Sequence, residues 1–513
     1  MTMACIRIWI FAGLALCLSC GGGEKEDGDT DGPETVETED TMSDEAALDP
    51  EMEEDGETLD VPGEDIPHEP RELRSAVLLG EGGFFGVSGR DMGGAAGAGF
   101  AVSAHYADIS DGTGEEQPAG RLYFFAGGAI PSTLDDNVLV LQPPDGALGG
   151  GFAYAIGNPC DFNGDGHLDL AVGNHLYSDA ACANCGRVVV FWGDAAGLSM
   201  ERATYHRLSD GLRSDSDCLG QTVLCGDFDG DGLGDLLATG QNGGLMNTGI
   251  GALYYGSATG LPETQDAEIY PALARDRQYF GCSSLRADLD GDGVTDLAVG
   301  GWGLIKGTTG PHTGGVAVFP GGGDWSAGPA YVLSPESDAE AGMGTDMTLV
   351  RAEGAVLLAV SAPDDGAAGE GAVLVFEAGS TGFQENPPLQ VLAAPGGVAG
   401  TGYGNAIAFV PDFHGADRGA LLVGMKYADA DAAHVGTGVV AVYALAPEGG
   451  PFEETAAILT APAPLPNDAF GGAVVPLDDV DGDGQRDFLI GMESHVEGDI
   501  MTGVQTGGVV FYY

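Results

Sequence analysis

Nine residues at 227–235, Asp-Phe-Asp-Gly-Asp-Gly-Leu-Gly-Asp, constrain this chain more tightly than any other stretch. Carboxylates at positions 1, 3, 5 and 9 (Asp227, Asp229, Asp231, Asp235) can meet at one point only if the backbone coils tightly, and Gly230 and Gly232 permit that coil. Four such charges repel one another unless a hard cation sits among them, so the stretch reads as a calcium loop in which Leu233 offers its carbonyl. The following Leu-Leu-Ala-Thr-Gly reads as a strand. An EF-hand or dockerin loop would instead lead into a helix.

The loop recurs. Asp161, Asp227, Asp288 and Asp479 begin four good copies, separated by 66, 61 and 191 residues. The first copy offers Asp161, Asn163, Asp165, the His167 carbonyl and Asp169; the third offers Asp288, Asp290, Asp292, the Val294 carbonyl and Asp296. The last offers Asp479, Asp481, Asp483, the Gln485 carbonyl and Asp487. The long final gap is three periods and holds two degenerate copies. Residues 412–420 keep the loop length but place His414, Ala416 and Ala420 at positions 3, 5 and 9, while the copy at 351–356 is shortened and has lost its ligands. A further remnant at 91–99 brings the count to seven.

Each copy opens on an apolar residue beside glycine, as in Phe85-Gly86, Phe280-Gly281 and Phe470-Gly471, and continues through a first strand, the loop and a second strand. A third strand follows, for example at 188–192, 316–319 and 509–512, and a short fourth at 331–333 or 456–460. Repeated four-stranded units of this kind are propeller blades. The seventh copy ends at Tyr513 after its third strand, and Ser75-Ala-Val-Leu-Leu matches the missing fourth. The N-terminal strand is therefore expected to close the ring and remove an open edge. The expected fold is all-β, a seven-bladed propeller of antiparallel blades at about 84–142, 150–208, 218–273, 279–333, 342–393, 402–460 and 469–513 plus 74–79.

These residues resemble the FG-GAP repeats of integrin α-subunit propellers and of many exported bacterial proteins. Residues 358–376, Leu-Ala-Val-Ser-Ala-Pro-Asp-Asp-Gly-Ala-Ala-Gly-Glu-Gly-Ala-Val-Leu-Val-Phe, fit that family's second strand, loop and third strand. The resemblance covers 74–513. It implies seven blades, with calcium in the hairpins that join first and second strands.

Upstream, residues 1–19 carry an apolar run too short to span a bilayer and read as an export signal. Leu18-Ser19-Cys20-Gly21 resembles a bacterial lipoprotein cleavage site, with Cys20 the acylated residue; Cys17 departs from the aliphatic residue expected there. Residues 20–72 are dominated by Asp and Glu and cannot bury enough apolar surface to fold, so they read as a disordered acidic tether. The formal net charge of -61 argues against a nucleic-acid partner. The expected location is the outer membrane or cell surface, with secretion or a periplasmic site as the alternative.

Six cysteines lie beyond Cys20, in an exported and disulfide-permissive setting. Cys182 and Cys185 are spaced to close locally. The repeat frame brings Cys160 near Cys225 and Cys218 near Cys282, which makes both cross-blade pairs candidates. Catalysis has little to work with: nine histidines are scattered among loops, and no nucleophile–base pattern stands out. Recognition or adhesion, without chemistry, is the expected role. A lectin-like propeller and a calcium-dependent polysaccharide lyase or hydrolase are the alternatives. The ligand, protein or glycan, is expected on the face away from the calcium loops, where Trp302, Lys306, His312, Lys426, Tyr427, His434 and His495 fall.

Overall fold

The computed structural model describes residues 73–513 apart from short internal segments, among them 93–98, 126–130, 306–309, 379–386 and 498–503. Cys20, the export signal and the tether lie outside the described residues, as does Lys306.

Seven four-stranded antiparallel sheets form among the described residues, with two small two-stranded hairpins beside them. Blade 2 is typical, with strands Phe152–Ile156, Leu170–Asn174, Arg187–Phe191 and Ala203–His206 running from the first to the fourth. The first strands of successive blades touch one another in turn, and that of blade 7 (Phe470–Pro476) meets that of blade 1 (Phe85–Asp91), so they form a closed ring around a central channel. Second and third strands are buried along almost their whole length, as in Leu170–Asn174 and Val439–Ala444. This accounts for their unbroken Val, Ile, Leu and Ala runs: both faces are covered by neighbouring blades. The core therefore lies between blades. Leu237 and Leu253 of blade 3, for instance, pack with Phe280, Leu297 and Phe319 of blade 4.

The opening apolar-Gly pair stitches one blade to the next. Phe280 N donates to Thr248 O of blade 3 at 3.1 Å, and Phe470 N donates to Thr437 O of blade 6 at 2.9 Å. The glycine that follows has φ near +90°, as at Gly281 and Gly471. That left-handed residue produces a bulge, and the register of the first strand shifts between Phe280 and Ser283 and between Phe470 and Val474.

Closure occurs as expected. Ser75–Leu79 pairs with Gly508–Tyr512 from Ser75↔Tyr512 to Leu79↔Gly508, and Arg74 and Tyr513 exchange two backbone hydrogen bonds at 3.1 Å. The shortened copy at 351–356 is a tight hairpin, with Ala352 paired to Ala355. Leu78 is the closing strand's buried anchor, packed with Phe85, Phe511 and Val509. Leu78→Ala is expected to lower unfolding free energy by about 2–5 kcal/mol, measured by urea titration against the parent protein.

Candidate metal centres and the opposite loop face

Each of the four good copies forms the coil that its spacing predicts. Both oxygens of the first carboxylate are spent on the coil: Gly230 N donates to Asp227 Oδ1 at 2.7 Å and Gly232 N to Oδ2 at 3.0 Å. Gly230 and Gly232 sit at φ +81° and +90°, which a side chain would oppose. The third and fifth residues cap the turn in the same way, with Asp231 N donating to Asp229 Oδ1 and Leu233 N to Asp231 Oδ1.

Among the described residues, carboxylate oxygens converge to within 4.8 Å of one another in three groups: Asp227, Asp229 and Asp235; Asp288, Asp290 and Asp296; and Asp479, Asp481 and Asp483. The donors are all oxygens, most of them on half-buried or exposed residues, a set that fits a hard divalent cation such as calcium. In the first copy Asn163 contributes an amide oxygen, already accepting from Asp165 N at 3.0 Å.

The ninth carboxylate differs from the rest. Asp169, Asp235, Asp296 and Asp487 are fully buried. Asp235 Oδ2 accepts from Phe228 N at 2.7 Å, within the loop, while Oδ1 accepts from Gly256 N at 2.9 Å, just past the blade's third strand. Asp296 repeats this with Leu289 N and Gly321 N, and Asp169 with Phe162 N and Gly193 N. One side chain thus ties the first hairpin to the third strand. Burial outweighs these hydrogen bonds and pushes the Asp169 and Asp235 carboxyls up to about 6. Ligand spacing alone hid this bracing role; the signal was that position 9 begins a buried strand.

The degenerate copy at 412–420 keeps one link. Asp412 Oδ2 accepts from Arg486 N of the neighbouring blade-7 loop at 3.2 Å.

On the opposite face the expected contact residues are spread over blades 4, 6 and 7 and do not form one cluster. Trp302 stacks on Tyr279, with centroids 4.0 Å apart and an interplanar angle of 10°. His312 Nδ1 lies 2.7 Å from Gly303 O. Lys426 is buried, not presented: its ammonium lies 3.1 Å from Glu493 Oε1. Burial opposes its charge, but Glu493 prevails and holds it protonated. His495 is likewise buried, 3.0 Å from Asp468 Oδ1. Tyr427, at 44% exposure, does face solvent.

Two disulfides form among the described residues, Cys160–Cys225 with Cα atoms 6.3 Å apart and Cys182–Cys185 at 5.8 Å. The expected Cys218–Cys282 bridge does not. Cys218 takes a left-handed φ of +57° and its sulfur receives the Asn242 amide of its own blade, whereas Cys282 Sγ turns to blade 5 and donates to Gly344 O at 3.2 Å. Burial pushes the Cys282 thiol up to about 12.

An arginine unremarked in the sequence stands out in the structure. Arg187, which opens the third strand of blade 2, is buried between the rings of Tyr177 and Tyr205, 3.8 Å and 4.3 Å from their centroids. Asp145 holds it at both terminal nitrogens, at 2.7 Å and 2.8 Å. These four residues line a cavity of about 590 Å³. Its sequence cue is the Arg before Val-Val-Val-Phe, a position that blade 1 also fills with an arginine, Arg121, and that the other third strands fill with small or apolar residues.

Residues 152–191, from the first strand of blade 2 to the end of its third, match the model of the FG-GAP repeat. The chain carries an FG-GAP repeat. It is similar to integrin alpha-4 of Xenopus laevis, 29% identical over 218 residues, which is 41% of this chain and 20% of that protein. It is also similar to integrin alpha-5 of Xenopus laevis, 29% identical over 160 residues, covering 30% of this chain and 15% of that protein. Phosphatidylinositol-glycan-specific phospholipase D of Rattus norvegicus is 32% identical over 147 residues, covering 27% of this chain and 17% of that enzyme. The matched region thus spans a fifth or less of each relative. Among the described residues no helix is long and apolar enough to cross a membrane.

Bracing and ligation make different demands on the FG-GAP loop, and two substitutions separate them. In EDTA, Asp235→Ala is expected to cost about 3 kcal/mol, because it strands two buried N–H groups. Asp229→Ala, on the exposed turn, is expected to cost less than about 1 kcal/mol, both read from chemical denaturation.

Proposed function

We propose that this chain is a non-catalytic recognition propeller, braced by calcium on one face and binding a macromolecular ligand through loops on the other. The observation that carries the reading is the segregation of the oxygen clusters. All three lie in hairpins between first and second strands, which leaves the second-to-third and fourth-to-first loops free to vary on the opposite face. Similarity to integrin alpha-4 and alpha-5 supports the same division of labour.

Calcium bound there would neutralise the clustered carboxylates and lock each hairpin. Asp161, Asn163 and Asp165 would hold it in blade 2, Asp227, Asp229 and Asp231 in blade 3, Asp288, Asp290 and Asp292 in blade 4, and Asp479, Asp481 and Asp483 in blade 7. The ninth residues, Asp169, Asp235, Asp296 and Asp487, complete the sets from below. We further propose that an acylated Cys20 and the acidic segment 20–72 hold the propeller away from an outer membrane or cell surface, where protein or glycan partners are met.

Non-catalysis is consistent with the buried His495–Asp468 pair. Asp468 also accepts from Leu465 N at 2.6 Å, so the couple fastens two loops.

Three measurements test the proposal. Millimolar calcium should raise the melting temperature and EDTA lower it, since a ligand of the folded state stabilises that state alone; no shift, with no calcium in the purified protein, would refute the metal assignment. The metal-free protein should also lose stability as pH rises. Asp169 and Asp235 titrate near 6 when folded and near 3.9 when unfolded. Their contribution is thus fully present below about pH 4 and lost as pH rises through about 6. Calcium should erase that loss. Finally, pull-downs from envelope extracts and glycan arrays should give calcium-supported capture that Tyr427→Ala weakens. Turnover of a polysaccharide would instead favour an enzyme.

A further inference from the structure

The channel mouth on the loop face gathers polar side chains that neither the calcium loops nor the blade cores use. In blades 1, 2, 6 and 7 the residue after the second strand is His105, His175, Lys426 and Glu493. Tyr154, on the first strand of blade 2, and Gln221, just before that of blade 3, stand on the inner ring beside them. Gln221 Nε2 donates to the Tyr154 hydroxyl at 3.2 Å, and the Tyr154 ring lies 4.1 Å from the His175 imidazole.

Two acceptors in this group lack a donor among the described residues. His175 Nδ1 sits 3.2 Å from Gly151 O, and a carbonyl can only accept, so the proton is on Nδ1 and Nε2 is a bare acceptor. His175 is 1% exposed and its Nε2 has no partner among the described residues; Gln221 is 6% exposed and its Oε1 has none among them either. Burial takes the His175 imidazole down to about 4, so it is neutral at physiological pH. Leaving such groups unmet costs free energy, which favours a molecule that brings donors.

The charges nearby narrow the choice. Lys426 and Glu493 form a closed pair at 3.1 Å and leave no spare charge for an ionic ligand, whose desolvation would go uncompensated. A transition metal is also disfavoured. The imidazoles of His105 and His175 both pack against Tyr154, at 5.5 Å and 4.1 Å, and neither belongs to a metal-binding group among the described residues.

We propose that the loop-face mouth of the central channel binds a neutral polyhydroxylated ligand, a free sugar or the terminal residue of a glycan, through hydroxyl donors to His175 Nε2 and Gln221 Oε1. The site rests on the recognition reading above and supplies its position and ligand chemistry.

Saturation-transfer NMR and calorimetry on the calcium-loaded full chain, with neutral hexoses, N-acetylhexosamines and linear polyols as probes, test it. A glycan array separates free from terminal sugars. Gln221→Leu and Tyr154→Phe should each weaken binding by about tenfold or more, while Tyr205→Phe, in the Arg187 cavity, should leave it unchanged. Unaltered melting curves for either mouth variant exclude misfolding. Absence of binding by every probe, which leaves water to meet the two acceptors, overturns the site, as does binding indifferent to both mouth variants. Capture of a macromolecular partner that sugars do not compete and Gln221→Leu does not weaken would overturn this site while leaving the recognition reading intact.

Discussion

The buried carboxylate at the ninth position of each acidic loop is the constraint on which the rest of the structure depends. It accepts one hydrogen bond from within the loop and one from beyond the third strand, as Asp235 does from Phe228 and Gly256. A single side chain therefore fixes the hairpin's angle against the blade. Its burial is also what makes the site demanding: a carboxyl out of water resists ionisation, and at Asp235 the charge of Asp229 at position 3 worsens that resistance. A hard cation in the loop reverses the sign of this effect. The same residue is thus a brace in the metal-free fold and part of the oxygen set that calcium would engage.

Because the hairpins are rigid and the blades are stitched by Phe280-to-Thr248-type bonds, the ring of first strands has little freedom. Rigidity on one face lets the other carry variation. The loop-face residues show how differently such positions are used: Tyr427 is exposed, Lys426 beside it is sealed against Glu493, and Arg187 is clasped between two tyrosines.

Much of this was legible from residues alone, for a physical reason. The four-strand repeat, the apolar-Gly openings and the Asp spacing are local rules, so the strands, the loops and closure by Ser75–Leu79 followed from the sequence. Contacts that depend on side-chain direction across blades did not. The repeat frame put Cys160 beside Cys225 and Cys218 beside Cys282 with equal warrant, yet bond formation requires converging Cβ vectors, and the left-handed turn at Cys218 directs its sulfur to Asn242. Lys426 looked like a free cation because its partner Glu493 lies one blade away. The bare acceptors at His175 and Gln221 were invisible for the same reason.

Hydrogen–deuterium exchange with and without calcium tests the central claim most directly. If calcium braces the hairpins, amides at 161–169, 227–235, 288–296 and 479–487 should gain protection, while the loops after the second strands exchange as before. Protection confined to the opposite loop face, or none at the four hairpins, would contradict the account.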